Sequence, residues 1–287
     1  MATTEAVRDD SVLPATHWAA LAVFLILVPA VIILWGFPGR TDDLWAWTIK
    51  PDLTPIFLGS SYAGGAYFFW QTFRSNRWHP SSAGMLSASA FAAAMLVATL
   101  IHWDKFNHGD APTLAALAFY GWVGVYILSP GIVFALWLQN HRRDPRTPEP
   151  GDAVLPPNVL LGARVFGVGA IIGAAVFFIS PDTAIDIWPW SLTPLTARVL
   201  ACFTFEVGVA ATLLSLDPRW SSWRLLVQTF LVATAFLLVG AIRAFDDFDT
   251  GNVMTWLYLG GLLGAALGLL TLYRTYEAQR GAVPSEA

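Results

Sequence analysis

Asp43-Leu-Trp-Ala-Trp-Thr-Ile-Lys-Pro51 and Asp186-Ile-Trp-Pro-Trp-Ser-Leu-Thr-Pro194 are two versions of one pattern within the same chain, at an offset of 143 residues. Further matches continue at an offset of 142, and they pair Arg77 with Arg219, Asp104 with Asp246, Phe106 with Phe248, and Gly109 with Gly251. Agreement at a nearly constant offset is the sequence signature of duplicated structural units. The chain is therefore expected to contain two copies of one unit.

The composition indicates the solvent that surrounds these units. Of the 287 residues, 56% are hydrophobic and only 13% are charged, about half the charged share of a typical soluble domain. Most of the outer surface is therefore expected to face lipid. A net charge of −4 without a basic stripe excludes a nucleic-acid partner, and the single cysteine, Cys202, excludes a disulfide scaffold.

Apolar runs of the length needed to cross a bilayer occur eight times. A spanning helix needs about 20 mostly apolar residues. The expected spans are Trp18–Gly36, Ile56–Phe73, Met85–Trp103, Leu114–Leu138, Val159–Ser180, Leu195–Leu216, Leu225–Arg243 and Val253–Tyr273. The predicted fold class is an all-α, polytopic integral membrane protein whose eight transmembrane helices form two parallel four-helix repeats.

Four spans per copy make the two repeats enter the membrane in the same direction, about a pseudo-two-fold axis along the membrane normal. Equivalent loops are then expected on the same side. The predicted division is a cytoplasmic tail (1–17), a first repeat (18–138), a cytoplasmic linker rich in Pro and Arg (139–158), a second repeat (159–273) and a second cytoplasmic tail (274–287).

The distribution of Lys and Arg predicts the orientation. Ten of these residues fall on the side of the two termini and four on the other side, and cytoplasmic loops carry the excess of positive charge. We therefore expect a multi-pass protein of the inner cell membrane with both termini in the cytoplasm. The preference for Arg over Lys, together with abundant Ala, is typical of a bacterial chain.

Glu206, Arg164 and Arg198 are charged residues that fall inside expected spans rather than at their outer ends. Such a residue costs several kcal/mol in lipid and is a functional-site hypothesis by default. Glu206 and Arg164 lie on neighbouring antiparallel spans, so an ion pair or a shared water is expected between them. A buried structural pair and a protonated Glu206 remain alternatives.

A cluster of charged residues is expected at the outer side of the membrane, at the mouth of a polar site between the repeats. Its members are Asp104, Asp246, Asp247 and Arg243, which follow the third and seventh spans. Because parallel repeats place these loops together, the leading functional prediction is the binding or translocation of a small solute or ion through a polar site between the repeats.

The segment after the third span also contains potential metal ligands: His102, Asp104, His108 and Asp110. Their compact spacing suits a divalent ion. Neither histidine has a histidine counterpart in the second copy, which favours a structural role for the part that is shared. A metal site here stays a hypothesis, and no particular cofactor follows from the sequence.

The tryptophan loops admit two interpretations. Trp45, Trp47, Trp188 and Trp190 occupy matching positions, and tryptophan prefers the headgroup level of a bilayer. An aromatic belt that anchors the protein at the interface is the simpler interpretation. A cradle for a lipid tail is the alternative.

Small residues recur at every fourth position, at Gly169 and Gly173 and again at Gly260, Gly264 and Gly268. This spacing lets helices approach closely. Packing inside the bundle is the favoured interpretation, and an oligomer face is the alternative.

Two other classes of function stay open. One is an outer-leaflet membrane enzyme or lipid-binding protein that uses the region of His102, Asp104 and His108, although catalytic motifs are absent from the sequence. The other is a structural or accessory subunit of a membrane complex. The expected partners are the lipid bilayer, a second copy of the chain, or another subunit of such a complex.

Overall fold

The computed structural model describes residues 9–109, 111–147 and 151–281, and the regular elements in these ranges are helices. Ten α-helices follow one another along the described chain, and short 3₁₀ or π turns flank several of them. Their bounds are α1 (Pro14–Val31), α2 (Thr41–Leu44), α3 (Leu53–Arg74), α4 (His79–Ile101), α5 (Thr113–His141), α6 (Pro157–Ile179), α7 (Pro181–Ile187), α8 (Pro194–Leu214), α9 (Trp220–Arg243) and α10 (Val253–Gly281).

Seven of these helices are long and apolar enough to cross a membrane: α1 with its continuation to Gly36, α4, α5, α6, α8, α9 and α10. The remaining long helix, α3, has 22 residues but is not among the seven. Its serines, tyrosines and glutamine lower its hydropathy, and it is the most enclosed of the long helices. The chain is thus an all-helical membrane protein with seven candidate spans, where the sequence predicted eight.

Proline and threonine determine where several helices begin. Pro14, Pro157 and Pro194 are the first residues of α1, α6 and α8, a position at which the missing N–H costs no hydrogen bond. Before α8, the Thr193 hydroxyl accepts a hydrogen bond from the backbone N–H of Thr196 at 3.2 Å. Short polar loops therefore pass directly into long apolar helices.

The interior of the bundle is made of α3, α4, α8 and α9. Helix α3 packs against α1 and α9, and α8 packs against α6 and α4. Helix α4 also packs against α5 and α9, while α10 packs against α9. The two halves of the chain therefore meet mainly at two helix pairs, α3 with α9 and α4 with α8.

The two ends of the bundle carry different loops. At one end, which we call the tryptophan end, the backbone N–H of Asn107 donates to the Ala46 carbonyl at 2.7 Å, and that of Asp249 donates to the Pro189 carbonyl at 2.9 Å. Each bond ties a loop that follows an inner helix to the tryptophan loop of the same half. The opposite end, which we call the termini end, carries the segments before α1, α4, α6 and α9.

The segments before α1 and α6 are fixed at the termini end by aspartates. Asp10 Oδ1 accepts from the backbone N–H of His79 at 2.9 Å, and Asp152 Oδ1 accepts from that of Ser221 at 3.0 Å. Both bonds satisfy a free N–H at the start of an inner helix. Burial acts to raise the pKa of Asp10, but the hydrogen bonds from His79 outweigh burial and hold this pKa below its usual value.

The tryptophan loops fold into the protein, so the prediction of an aromatic belt is wrong for these rings. Trp45, Trp47 and Trp190 are buried, and Trp188 is partly buried. Trp190 Nε1–H donates to the Thr54 hydroxyl at 2.9 Å, across the two halves of the chain. Burial of these large rings stabilises the loops and removes the surface that a lipid cradle would need.

The glycines that recur at every fourth position lie on the outside of the bundle rather than within it. A Cβ atom at Gly169, Gly173, Gly260 or Gly264 would meet no atom within 4 Å, so the prediction of packing inside the bundle is wrong for these positions. The close contact uses Gly167 instead. A Cβ there would lie 2.7 Å from the Thr212 backbone nitrogen.

We expect Gly167→Leu to destabilise the protein because the added side chain would overlap the backbone of α8, which cannot move without separating α6 from α8. Overpacking of this kind costs about 1–3 kcal/mol, occasionally more. The measurement is the thermal unfolding midpoint of the purified protein, followed by tryptophan fluorescence. Gly169→Leu is the matched control on the open face of the same helix, and an equal loss in both variants would contradict the assigned packing.

Candidate functional site

Helices α4 and α8 meet along a line that we call the α4/α8 seam, which joins the two halves of the chain. Polar groups occur at three depths along it. Arg198 lies near the tryptophan end, Glu206 lies at the middle of α8, and a cavity lies at the termini end. We describe these three levels in turn.

The middle level contains Glu206 and two buried tyrosines. The Tyr62 and Tyr126 hydroxyls are 2.8 Å apart and hydrogen bonded, and the Glu206 carboxylate is close enough to act electrostatically on both. In the described part of the chain, no hydrogen bond or ion pair reaches Glu206. A carboxylate in such surroundings must bind a proton, a cation or water to offset its desolvation.

The expected ion pair between Glu206 and Arg164 is not formed. Arg164 turns toward the termini end, where Nε and Nη2 donate to the hydroxyl and the carbonyl of Ser215 at 3.3 and 3.4 Å. Ser215 is the C-cap of α8. The exposed carbonyls of a helix C-terminus attract a cation, so Arg164 has a nearer partner than the carboxylate in the middle of the helix.

At the tryptophan end of the seam, Arg198 joins the two helices. Its Nη1 donates to His102 Nε2 at 2.8 Å, and its Nε donates to the Phe178 carbonyl at 2.9 Å. Arginine only donates hydrogen bonds, so His102 accepts and is neutral at Nε2. Burial and the charge of Arg198 lower the pKa of His102, which keeps the ring in this state.

The other potential metal ligands of this segment do not gather around His102. Asp104 pairs with Lys105 at 2.8 Å, and the His108 ring stacks on Trp103. Asp110 lies outside the described residues. No group of three or more His, Cys, Asp or Glu side chains that could hold a metal ion is found within the described residues.

The expected outer-mouth cluster divides into two places. Arg243, Asp246 and Asp247 line a cavity of about 230 Å³ beside the start of α3. Arg243 donates to the carbonyls of Trp35 and Gly36. Asp104 does not line this cavity.

Asp247 has a structural task in this cavity. Its Oδ2 accepts from the backbone N–H of Leu53 at 2.9 Å and so caps α3. Burial raises the pKa of Asp247 in spite of this bond. The cavity is therefore built around a helix cap and belongs to the α3/α9 side of the bundle.

The third level of the α4/α8 seam is a cavity of about 520 Å³ at the termini end, which we call the inner cavity. Helix α4 contributes Leu86 to its wall, α5 contributes Trp137 and His141, and α8 contributes Leu213. The segments after α5 and α8 complete it with charged residues, which are Asp144, Arg146, Asp217 and Arg219.

The sequence prediction missed the inner cavity and the tyrosine pair. The charged residues around the cavity occur in segments that look like solvated linkers, and Tyr62 and Tyr126 lie 64 positions apart on different helices. The available signal was the presence of two tyrosines inside apolar spans that carry few other polar groups.

The seam between α3 and α9 is closed by comparison. A Cβ atom at Gly64 would lie 2.9 Å from Ala233 Cβ, so the two helices are in close contact at mid-depth. Toward the termini end, Gln228 bonds to the hydroxyls of Tyr67 and Tyr273, both at 3.1 Å. Side chains thus occupy this seam at mid-depth and toward the termini end.

Comparison with protein-family models, with curated protein sequences and with solved structures finds no match for this chain.

We expect the contact between His102 and Arg198 to weaken in acid. The pKa of His102 is lowered in the folded protein, so the unfolded chain binds the proton more readily. The stability that this contact contributes is therefore present above the ordinary histidine pKa of about 6.5 and is lost as the pH falls through the folded value. In His102→Gln this pH dependence should be absent.

The measurement is the unfolding midpoint of wild type and His102→Gln between pH 5 and pH 8. The difference between the two proteins should shrink toward pH 5. A difference that is constant over this range would contradict the assigned hydrogen bond. His108→Gln is the control, because His108 is exposed and stacks on Trp103 without a charged partner.

Proposed function

We propose that the protein binds and translocates a small cation, a proton in the simplest case, along the α4/α8 seam, with Glu206 as the binding group inside the membrane. The observation that carries this proposal is a carboxylate at the middle of α8 with no hydrogen bond or ion pair from the described residues, beside the hydrogen-bonded hydroxyls of Tyr62 and Tyr126. An intramembrane carboxylate without a counter-charge is suited to take up and release a positive charge.

The distances along α8 support a path on both sides of Glu206. Leu213, which lines the inner cavity, is seven residues away, or about 10 Å along the helix. Arg198 is eight residues away in the other direction, or about 12 Å. The inner cavity therefore extends to about 10 Å from Glu206 along α8 on the side of the termini end, while the bond between Arg198 and His102 closes the seam at the tryptophan end.

We further propose that α3 is an eighth span and that the chain consists of two parallel four-helix repeats with both termini in the cytoplasm of a bacterium. Each half supplies the same succession of long and short helices. The hydrogen bonds from Asn107 and Asp249 to the two tryptophan loops are equivalent, and so are the aspartate caps of α4 and α9. Because α1 and α9 flank α3, the polar side chains of α3 are shielded from lipid.

The decisive experiment measures proton flux into sealed vesicles that contain the purified protein, with a pH-sensitive dye inside and a potassium gradient with valinomycin as the driving force. We expect Glu206→Gln to reduce the flux to that of empty vesicles, since the amide cannot take up a proton. Parallel assays without valinomycin measure the flux of sodium and of potassium instead of protons, which identifies the cation.

Two further variants serve as controls. Glu206→Asp keeps the charge and should retain part of the flux. Glu277→Gln removes a carboxylate that pairs with Arg224 at the termini end, at 2.9 Å, and should leave the flux unchanged. Wild-type flux of every tested cation in Glu206→Gln would refute the proposal.

The proposed topology predicts that Asp104 and Asp246 are reachable from the same side of the membrane. Both are exposed at the tryptophan end. Asp104→Cys and Asp246→Cys, each in a Cys202→Ala background, should react with a membrane-impermeant thiol reagent on intact cells. Arg142→Cys, at the termini end, should react only after the cells are opened. Labelling of the first two variants from opposite compartments would exclude parallel repeats.

A role as an accessory subunit is the second candidate, and the outward glycines favour it. Gly169, Gly173, Gly260 and Gly264 leave open strips on α6 and α10, against which the helix of a partner or of a second copy can pack closely. This role predicts a stable complex in mild detergent and no flux defect in Glu206→Gln. No observation favours the outer-leaflet enzyme, because His102, Asp104 and His108, the members of this group that the structure describes, do not lie together.

A further inference from the structure

The inner cavity combines an apolar wall with charges of both signs. Its volume of about 520 Å³ lies in the range of pockets that hold small organic ligands. On the apolar side, the Trp137 ring stacks on the His141 ring with centroids 4.6 Å apart, and Leu86 and Leu213 extend the wall. The charged side is formed by Asp144, Arg146, Asp217 and Arg219.

Two of the four charges neutralise each other. Arg219 Nη2 donates to Asp217 Oδ2 at 2.6 Å, and its Nε contacts the same carboxylate. The Ser222 hydroxyl adds a hydrogen bond of 2.7 Å to Asp217. These bonds outweigh the effect of burial and hold the pKa of Asp217 below its usual value. The pair forms part of the wall and leaves little capacity for a ligand.

Asp144 and Arg146 are arranged differently, because neither makes an ion pair with a described residue. Asp144 is only 7% exposed. Its carboxylate accepts one hydrogen bond, from the backbone N–H of Arg146 to Oδ1 at 2.7 Å. Oδ2 is therefore available to a donor in the cavity. The Arg146 guanidinium donates to His141 Nε2 at 2.9 Å and keeps further N–H groups.

The backbone at Arg146 supports a specific placement of its side chain. Its φ is +58°, in the left-handed region that non-glycine residues rarely adopt and that is found at binding sites. Asp144 and Arg146 both line the inner cavity, although they are two residues apart. One wall thus presents an acceptor and a donor of opposite charge.

We propose that the inner cavity binds a small zwitterion with an apolar substituent, such as an amino acid with a branched or aromatic side chain. The ammonium group contacts Asp144, the carboxylate contacts Arg146, and the substituent lies against Trp137 and Leu86. A lone anion would be repelled by Asp144, and a lone cation by Arg146. Only a ligand with both charges satisfies both groups. This site goes beyond the proposed cation path and does not depend on it.

The test is isothermal titration calorimetry on the full chain in detergent, with two sets of probes that share a skeleton. One set is L-leucine, its amine analogue 3-methylbutylamine and its acid analogue 4-methylpentanoate. The other is L-tryptophan, tryptamine and 3-indolepropionate. We expect at least one zwitterion to bind and each of its analogues to bind at least about tenfold more weakly. The acid analogue leaves the buried Asp144 without a partner, and the amine analogue loses the hydrogen bonds of its parent's carboxylate to Arg146, which is exposed.

Asp144→Asn gives a signature that unfolding alone cannot give. It should weaken the binding of the zwitterion about tenfold and at the same time strengthen the binding of the acid analogue, because Asp144 no longer repels the carboxylate of that analogue. Arg146→Gln should do the reverse and favour the amine analogue. Asp182→Asn, an exposed aspartate at the tryptophan end, is the matched control and should bind like wild type.

The proposal is overturned if neither zwitterion binds, if an analogue binds as tightly as its parent, or if Asp144→Asn binds the zwitterion like wild type. Glu206→Gln is expected to bind the zwitterion with unchanged affinity. A failure of the flux experiment and a failure of this binding experiment are therefore distinguishable, because each uses a different residue and a different readout.

Discussion

Neither half of this chain can enclose its own inner helices, and the rest of the structure depends on that constraint. Helix α3 finds its inner partner in α9, and α4 finds its inner partner in α8. Lipid is as apolar as the side chains that pack there, so close packing and interhelical hydrogen bonds supply the association energy. The bond from Trp190 to Thr54 across the halves is one of these, and it satisfies a hydroxyl that is fully buried.

The two seams between the halves have different contents. Where α3 offers Gly64, which allows contact with Ala233, the offset of 142 places Glu206 on α8. Where α3 offers Tyr67, the same offset places Val209, which cannot reach across to a partner as Tyr67 does to Gln228. These exchanges place a carboxylate at mid-depth of the α4/α8 seam, whereas side chains fill the α3/α9 seam from mid-depth to the termini end. Over that length, the α3/α9 seam holds the halves together.

The sequence predicted the helices well, because their position follows from apolar length alone. It predicted less well which residues are buried, because burial also depends on how loops and helices pack. Apolar length alone located the long helices, with ends within a few residues in most cases. It also located α3, as the expected span Ile56–Phe73, but α3 is less apolar than the seven candidate spans, and its polar side chains are largely enclosed by the other helices. Trp45 and Trp190 suited an interface by residue type, yet the loops that carry them fold inward. Gly169 and Gly173 had the right spacing for packing, but only contacts reveal that Gly167 is the residue that meets α8.

The sequence predicted Glu206, the residue of the candidate site that is most costly in lipid, but it did not predict the residues around Glu206. A carboxylate in a span is recognisable from one position, so Glu206 could be named from the sequence. Its surroundings come from three helices, and the relative depth of residues on different helices is set by tilt and loop geometry. The sequence suggested that Arg164 reaches Glu206, but Arg164 lies at the level of Ser215, nine residues further along α8, and bonds to the carbonyl of Ser215. Opposite charge on neighbouring spans therefore does not show that two residues, such as Arg164 and Glu206, form an ion pair.

The arrangement of charges along the α4/α8 seam also bears on how a path could open. At the tryptophan end, the hydrogen bond between Arg198 and His102 is the charged contact between the two helices, and it requires a neutral histidine. At the termini end, the inner cavity lies between the helices. Asp217 and Arg219, which line this cavity, bond to each other and not across the seam. Separation of α4 and α8 breaks the bond between Arg198 and His102 together with apolar contacts such as that of the Phe91 ring with the Phe203 ring. Protonation of His102 removes the bond and adds repulsion, so on the proposed path a proton that arrives from the tryptophan end would weaken the closure between it and Glu206.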